Sequence, residues 1–258
     1  MKSISLYTDN NSWMTKLHPF TKLFYLVSAI LIPVISGHLM VYIMAAALSI
    51  ILLMSARVFR KALPLITFSF SILLTIFIIQ GLFYKDNASV LFTLGPLTFY
   101  KEGLLYSSRI GLNILNMLLS FSILVLTTKP SELVEELEKK GFSPKLGYVI
   151  NSVFQIVPEM MGTMETISDA QRSRGMETEG NLLTRIKAFL PLISPVVMSA
   201  LTSTRERAIA LEVRGFGRAS KKTFLYRHPY RTPDHIIKWA SILSLVGVII
   251  RKIITIFN

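Results

Sequence analysis

Two long runs of apolar residues constrain this chain more than any other feature. Residues 63–83 and 104–126 carry a single charged side chain between them, Arg109. As helices, both runs are long enough to cross about 30 Å of hydrocarbon. Two shorter runs, residues 23–35 and 39–54, are separated only by Ser-Gly-His and predict a tight helical hairpin. The pattern predicts an all-α integral membrane protein with about four N-terminal transmembrane helices.

The charged residues divide the chain into three regions. The sequence is 52% hydrophobic yet has a formal net charge of +13, which favours a membrane protein with cationic cytoplasmic parts over a soluble nucleic-acid binder. Residues 1–126 hold nine Lys/Arg and three Asp/Glu, residues 127–235 hold sixteen and twelve, and residues 236–258 hold three and none. We therefore expect an N-terminal membrane domain, a water-facing region and a C-terminal transmembrane helix, for which an interfacial helix is the alternative.

Loop charges predict the orientation in the membrane. Three cations, Arg57, Arg60 and Lys61, lie between the second and third apolar runs, whereas the loop around Gly95-Pro96 carries near-neutral charge pairs. Cytoplasmic loops carry an excess of Lys and Arg. We expect the N-terminus and residues 127–235 on the cytoplasmic side of a cell membrane, and the Gly95-Pro96 loop outside.

The water-facing region begins with two predicted amphipathic helices. The first is short, with Ser131 as a candidate N-cap and Gly141 as its stop. The second begins at Ser143-Pro144 and carries apolar residues at steps of three and four. We expect a kink near Pro158 and an end at Gly175.

Catalytic and metal-binding motifs are missing from the sequence. There is no cysteine, no G-x-x-x-x-G-K-[ST] phosphate loop, no H-E-x-x-H motif and no Cys/His cluster, and the four histidines are scattered. We therefore expect no enzyme activity, no nucleotide hydrolysis, no cofactor and no metal site in this chain. The apolar runs hold no carboxylate, which argues against a carrier with its own proton or ion relay.

A third amphipathic helix is predicted from Ser194-Pro195 to Gly215, and its end repeats the end of the second. Both ends read Ala, three residues, Arg-Gly and a large apolar residue, with the key positions at Ala170, Arg174 and Gly175 and at Ala210, Arg214 and Gly215. For one copy, the simplest interpretation is a glycine helix stop with a cation that complements the helix dipole. Two copies with the same spacing favour docking, because alanine leaves room beside an arginine whose guanidinium suits a partner's carboxylate.

Five motifs then occur in one order along the chain: LHPFTKL (17–23), LTTKPSEL (126–133), IVPEM (156–160), AQRSRG (170–175) and ALEVRG (210–215). In this order they resemble the transmembrane T component of energy-coupling factor (ECF) transporters, the vitamin and transition-metal uptake systems related to ABC transporters. The sequence departs from the family pattern at Ser173 and Val213, where alanine is frequent, and at His18, where an acidic residue is common.

The resemblance implies a coupling function. Arg174 and Arg214 would contact acidic grooves of two ABC-type ATPase subunits, which bind the ATP, and Gly175 and Gly215 would set the helix ends. Movement of these coupling helices would topple a small membrane-embedded S component that binds a vitamin or other micronutrient. The apolar stripes would face the S component or the membrane surface. Three methionines would form an adaptable part of that surface, with ordinary helix packing as the alternative: Met160, Met161 and Met164.

Other functions remain open from the residues alone. The chain could be a membrane scaffold or channel subunit that docks another acidic cytoplasmic partner. A membrane-embedded enzyme acting on lipids would need acids clustered at one depth, whereas most acids here are assigned to exposed helix faces. An S component would need a ligand pocket among its spans. The basic run at 217–234 is interpreted as a contact with anionic lipid.

Overall fold

A computed structural model gives the fold of this chain, and it describes residues 7, 10, 12–85, 89–94, 97–176, 181–217, 223–224 and 229–257, with the backbone only at 92, 94, 182–190, 256 and 257. The described residues form eight helices and one short hairpin, which confirms the all-α prediction: α1 Pro19–Ser36, α2 Leu39–Ser55, α3 Phe59–Phe83, β1 Val90–Leu94, β2 Leu97–Tyr100, α4 Lys101–Thr127, α5 Pro130–Lys139, α6 Pro144–Ser173, α7 Leu182–Val213 and α8 Thr232–Phe257.

The chain divides into two compact units. The first, here called the membrane unit, contains α1–α4, the hairpin and α8. The second, here called the helix-pair unit, contains α5, α6 and α7. The division into regions 1–126, 127–235 and 236–258 by function stays a prediction.

Three of the described helices are long and apolar enough to cross a membrane: α1, α3 and α4. The fourth predicted span, α2, is apolar but has 17 residues. Helix α8 has 26 residues and lies along α1, with Asp234 near the start of α1 and Arg251 Nη2 3.3 Å from His38 Nε2 beyond its end. Its crossing of the membrane stays a prediction.

Buried charges join the helix ends on one side of the membrane unit. Lys22 is only 2% exposed, and its Nζ donates a hydrogen bond to the carbonyl of Thr127, the last residue of α4, at 2.8 Å. Asp234 is fully buried and accepts hydrogen bonds from the backbone N–H groups of His18 and Arg231, both at 2.8 Å. These contacts fix the starts of α1 and α8 beside the end of α4.

A polar cluster lies inside the membrane unit between α1, α2 and α4. Ser49 Oγ is 2.9 Å from the Tyr25 hydroxyl and donates to Asn116 Oδ1 at 3.1 Å. Asn116 Nδ2 donates to the carbonyl of Ala29 at 2.6 Å. Leu53, Leu119 and other buried apolar residues surround this end of the bundle. The hydrogen bonds make burial of these polar groups tolerable and fix the register of the three helices.

The structure corrects the predicted helix starts. Arg60 and Lys61 were expected between two spans and Lys22 falls just before the predicted run 23–35, but Lys22 lies inside α1 and the other two lie in the first turn of α3. Ser131 was expected as an N-cap and is the second residue of α5, which begins at Pro130. Hydropathy alone excludes charged residues from helix ends, which explains why the starts of α1 and α3 were predicted too late.

The prediction that Ser194-Pro195 starts a helix was wrong. Helix α7 begins at Leu182, so Pro191 and Pro195 both lie inside it. A proline costs one hydrogen bond and bends a helix, but neighbouring turns can carry the helix through it. The buried side chains of Leu192 and Val196 lie next to the two prolines and contribute to that continuity.

The expected external loop is partly a hairpin, in which β1 and β2 pair antiparallel. Its aromatic and β-branched residues favour strands. Gly95-Pro96 and half of the basic run at 217–234, including His228, lie outside the described residues.

We expect Asp234→Asn to destabilise the chain by about 1–3 kcal/mol, because an amide offers one acceptor oxygen to two converging buried N–H groups. The temperature at which half of the detergent-solubilised protein loses monodispersity measures this. Asp169→Asn, at a side chain that is 72% exposed, is the matched control and should have no effect. Equal temperatures for both variants would contradict the role given to Asp234.

Candidate functional site

The two Arg-Gly sequences end α6 and α7 with the same backbone geometry. Gly175 N–H donates to the carbonyl of Arg172 at 2.9 Å, and Met176 N–H donates to that of Gln171 at 3.1 Å. At the other end, Gly215 N–H donates to Glu212 and Phe216 N–H to Leu211, both at 2.9 Å. Each is a Schellman motif, in which the residue after the C-cap takes the left-handed conformation.

The glycines are required by this geometry and the arginines are displayed by it. Gly175 has φ +87° and Gly215 has φ +75°. Arg174 and Arg214 are the C-cap residues and both are exposed. A cation at this position complements the negative end of the helix dipole. No carboxylate among the described residues forms an ion pair with either guanidinium.

Ala170 and Ala210 lie one turn before the two arginines and are exposed. Residues four apart lie on the same face of a helix, so each arginine has a methyl group as its neighbour on that face. We call each set a tip: tip 1 is Ala170, Arg174 and Gly175, and tip 2 is Ala210, Arg214 and Gly215. All six predicted site residues lie within the described part of the chain, while residues 177–180, which follow tip 1, do not.

Helix α5 shows that the backbone motif alone does not make a tip. Gly141, at φ +102°, and Phe142 close the end of α5 with the same two hydrogen bonds. Four residues before Lys140, however, stands Glu136, which is 6% exposed and bonded to Lys139 Nζ at 2.5 Å. Exposed alanine before exposed arginine therefore distinguishes tips 1 and 2 from a generic helix end.

Helices α6 and α7 run antiparallel across each other. The ring of Tyr148, near the start of α6, lies 5.1 Å from that of Phe216, just beyond the end of α7. Arg207 on α7 forms an ion pair with Glu159 in the middle of α6. Because the helices run in opposite directions, tips 1 and 2 lie at opposite ends of the pair.

The crossing is formed by small residues on one side and larger ones on the other. A cleft between the helices is lined on α7 by serine, threonine and alanine together with Val196 and Arg207, and on α6 by Ile156, Glu159, Met160 and Thr163. The α7 residues include Ser199, Ala200, Ser203 and Thr204. Met160 therefore packs between the helices, whereas Met161 is 56% exposed on the outside. The helix-packing interpretation holds for Met160.

An apolar stripe covers the outer face of α6. Its exposed members recur at steps of three and four and are Leu146, Val149, Ile150, Val153, Phe154, Val157 and Met161. We call these seven residues the α6 stripe. Apolar surface of this extent on a soluble protein marks a contact with a partner or a membrane.

Sequence reasoning missed the contacts that join the two helices. The pairs Glu159 with Arg207 and Tyr148 with Phe216 left no signal, because the partners are 48 and 68 residues apart. It also missed how His18 replaces an acidic residue. His18 Nδ1 accepts a hydrogen bond from Phe20 N–H at 3.2 Å and so caps α1 as a carboxylate would.

In the described residues, no group of three or more His, Cys, Asp or Glu could hold a metal ion.

Comparison with known proteins gives consistent matches over most of the chain. The model of the CbiQ family, described as cobalt transport protein, matches residues 10–224. Three relatives named energy-coupling factor transporter transmembrane protein EcfT are similar over most of their length. That of Staphylococcus aureus is 28% identical over 90% of this chain and 90% of its own, that of Listeria innocua 29% over 81% and 83%, and that of Lactococcus lactis 28% over 97% and 95%.

We expect Gly175→Ala and Gly215→Ala each to destabilise the local helix end by about 1 kcal/mol, because alanine is strained at positive φ. Limited proteolysis at the two ends, with thermal stability of the whole chain, measures this. Gly247→Ala is the control, since no positive φ and no atom within 4 Å opposes a Cβ there. A loss with Gly247→Ala as large as with the other two would refute the explanation.

Proposed function

This chain belongs to the CbiQ family and is a transmembrane component of an energy-coupling factor transporter, and from that premise we propose that it couples two ATPase subunits to a substrate-binding S component. As a transporter component it is not a catalytic enzyme. The ATP would be bound by the ATPases, and the cargo, a vitamin or other micronutrient, by the S component.

The paired tips are the single observation that carries this proposal. They share one backbone geometry, display one arginine each and lie at opposite ends of the antiparallel pair. Two copies of one ATPase present the same groove twice, and two equivalent tips at separate places fit that arrangement. The planar guanidinium of an arginine matches the geometry of a carboxylate, so each contact would be strong and directional.

Motion would reach the S component through the helix pair. When the ATPases close on ATP, they would carry tips 1 and 2 with them and change the angle at which α6 and α7 cross. Breaking a buried arginine–carboxylate contact from one side costs about 3–5 kcal/mol, which is enough to transmit a pull. The α6 stripe would be the surface through which the S component follows this change.

The orientation is proposed from the charges of the membrane unit. The end at which α1, α3 and α8 begin has exposed Lys16, Arg57, Arg60, Lys61 and Arg231. An excess of cations marks the cytoplasmic side. We place this end, and with it the helix-pair unit as the cytoplasmic coupling region, on the inner side of the cell membrane, with α8 as a further transmembrane helix.

We expect Arg174→Glu together with Arg214→Glu to abolish co-purification of the ATPase subunits, because each change replaces attraction by like-charge repulsion. Affinity purification through a tag on this chain, from cells that express the whole transporter, measures the ATPase retained. Either single variant should retain part of it, since one tip remains.

Arg205→Glu is the matched control, an exposed arginine on α7 outside both tips. It should leave ATPase binding unchanged, and all variants should reach the membrane in equal amounts. Full recovery of the ATPase subunits with the double variant would contradict the docking proposal.

We expect Val153→Glu, in the middle of the α6 stripe, to release the S component while the ATPases remain bound. A buried charge at an apolar contact is costly, whereas the tips are untouched. Immunoblots for both partners after affinity purification measure the two contacts separately. Thr166→Glu adds the same charge on another exposed face of α6 and should release neither. Retention of the S component by Val153→Glu would mean that the stripe faces lipid instead.

A further inference from the structure

An arginine occupies a position in the membrane unit that normally belongs to glycine. Helix α2 ends in a Schellman motif, with Arg57 N–H bonded to the carbonyl of Met54 at 3.0 Å and Val58 N–H to that of Leu53 at 3.2 Å. Arg57 is the residue after the C-cap and has φ +56°, the one positive φ at a non-glycine residue in the part of the chain that the structure describes. A side chain in this conformation costs free energy that glycine would not.

The next cations are also placed against local preference. Arg60 and Lys61 lie in the first turn of α3, which contains no acidic residue. Cations are disfavoured there, because the helix dipole makes this end positive. Within a few residues the chain thus bears one strained arginine and two cations at the positive end of a helix. Binding of an external anion would offset the free energy lost to the strained backbone of Arg57 and to the repulsion between the cations and the helix dipole.

The corner is held in place by the N-terminal segment. Trp13 Nε1 donates to Ser55 Oγ at 2.6 Å, and Asn10 Nδ2 donates to the carbonyl of Arg57 at 3.0 Å. Met14 is buried against this end of the bundle. The Trp13 ring is nevertheless 41% exposed. A half-exposed tryptophan beside cations at the end of a span is typical of the level of lipid headgroups.

Apolar surface adjoins the corner on both helices. Met54 and Ile51 on α2 are 62% and 61% exposed, and Leu63 on α3 is 45% exposed. These side chains lie within two turns of Arg57 and Arg60, on the hydrocarbon side. A molecule with an anionic head and acyl chains matches this sequence of cation, tryptophan and apolar wall.

Few carboxylates of the membrane unit could neutralise the charges of Arg57 and Arg60. The carboxylates among its described residues are Asp234, which is fully buried on two backbone N–H groups, and Glu102, which lies at the opposite end of α4 and bonds Ser89. Arg57 and Arg60 are both exposed. The described residues of the membrane unit therefore offer no exposed carboxylate to Arg57 or Arg60.

We propose that Trp13, Arg57 and Arg60 form a binding site for the phosphate headgroup of an anionic phospholipid, whose acyl chains lie along Met54 and Leu63. The site would tie the α2–α3 corner to the leaflet on this side. It is separate from the tips and does not depend on the coupling proposal.

The test uses the full-length chain with Trp239→Phe, which leaves Trp13 as its single tryptophan. The protein is reconstituted in phosphatidylcholine bilayers that contain either phosphatidylglycerol or phosphatidylcholine brominated near the top of the acyl chains. Quenching of Trp13 fluorescence then reports the lipid next to it. We expect phosphatidylglycerol to be preferred by about fivefold for each arginine that contacts the phosphate, the factor equivalent to ~1 kcal/mol.

Arg57→Gly retains the backbone geometry and removes one cation, so it should lower the preference about fivefold; Arg57→Gly with Arg60→Gln should bring the ratio near one. Lys252→Gln, an exposed cation at the far end of α8, should leave it unchanged. Equal quenching by the two brominated lipids in the starting protein overturns the proposal, as does a preference that survives in the double variant. Loss of the preference on adding glycerol phosphate at constant ionic strength would assign the site to a soluble phosphate and overturn it too.

Discussion

Lys22 and Asp234 are buried charges whose partners are backbone groups at helix ends, and the arrangement of the membrane unit depends on them. Lys22 is bonded to the carbonyl that ends α4, and Asp234 to the N–H groups that precede α1 and α8. A charge in an apolar interior is tolerated only while it is paired. Separation of these helices would leave charges and backbone groups unpaired at once. The chain thus enters and leaves the helix-pair unit from helix ends that are fixed to one another.

Hydropathy and loop charge predicted most of the membrane unit, and the errors have identifiable causes. The centres of α1 to α4 and α8 were correct, since each contains an uninterrupted apolar run. The starts of α1 and α3 were placed too late, because hydropathy excludes charged residues from a helix end whether they are buried, as Lys22 is, or exposed, as Arg60 and Lys61 are. The pairing of β1 with β2 was missed because Gly95-Pro96 and the near-neutral charge pairs were interpreted as a loop. The α7 start was misplaced because a Ser-Pro pair inside a helix mimics a helix start.

The tips could be found from sequence because they are local and repeated. Glycine after arginine predicts a helix end, and the structure gives both glycines the positive φ that such an end requires. The antiparallel pairing of α6 and α7 could not be found, since it rests on Glu159 with Arg207 and Tyr148 with Phe216, contacts between distant residues. The left-handed conformation of Arg57 could not be predicted either, because an arginine stands where such a helix end usually has a glycine.

The cleft between α6 and α7 lies at the same distance along each helix from the arginine at its end. Met160 and Ala200 line the same cleft where the helices cross, and each lies fourteen residues before its arginine, Arg174 or Arg214. We call the helical segment from the cleft to each arginine an arm, and at 1.5 Å per residue both arms are about 21 Å long. Neither arm contains a proline, because Pro158 and Pro195 lie on the other side of the crossing. Each arginine is therefore joined to the cleft by a proline-free helical segment of the same length, so that a displacement at either tip is carried to the cleft over the same distance.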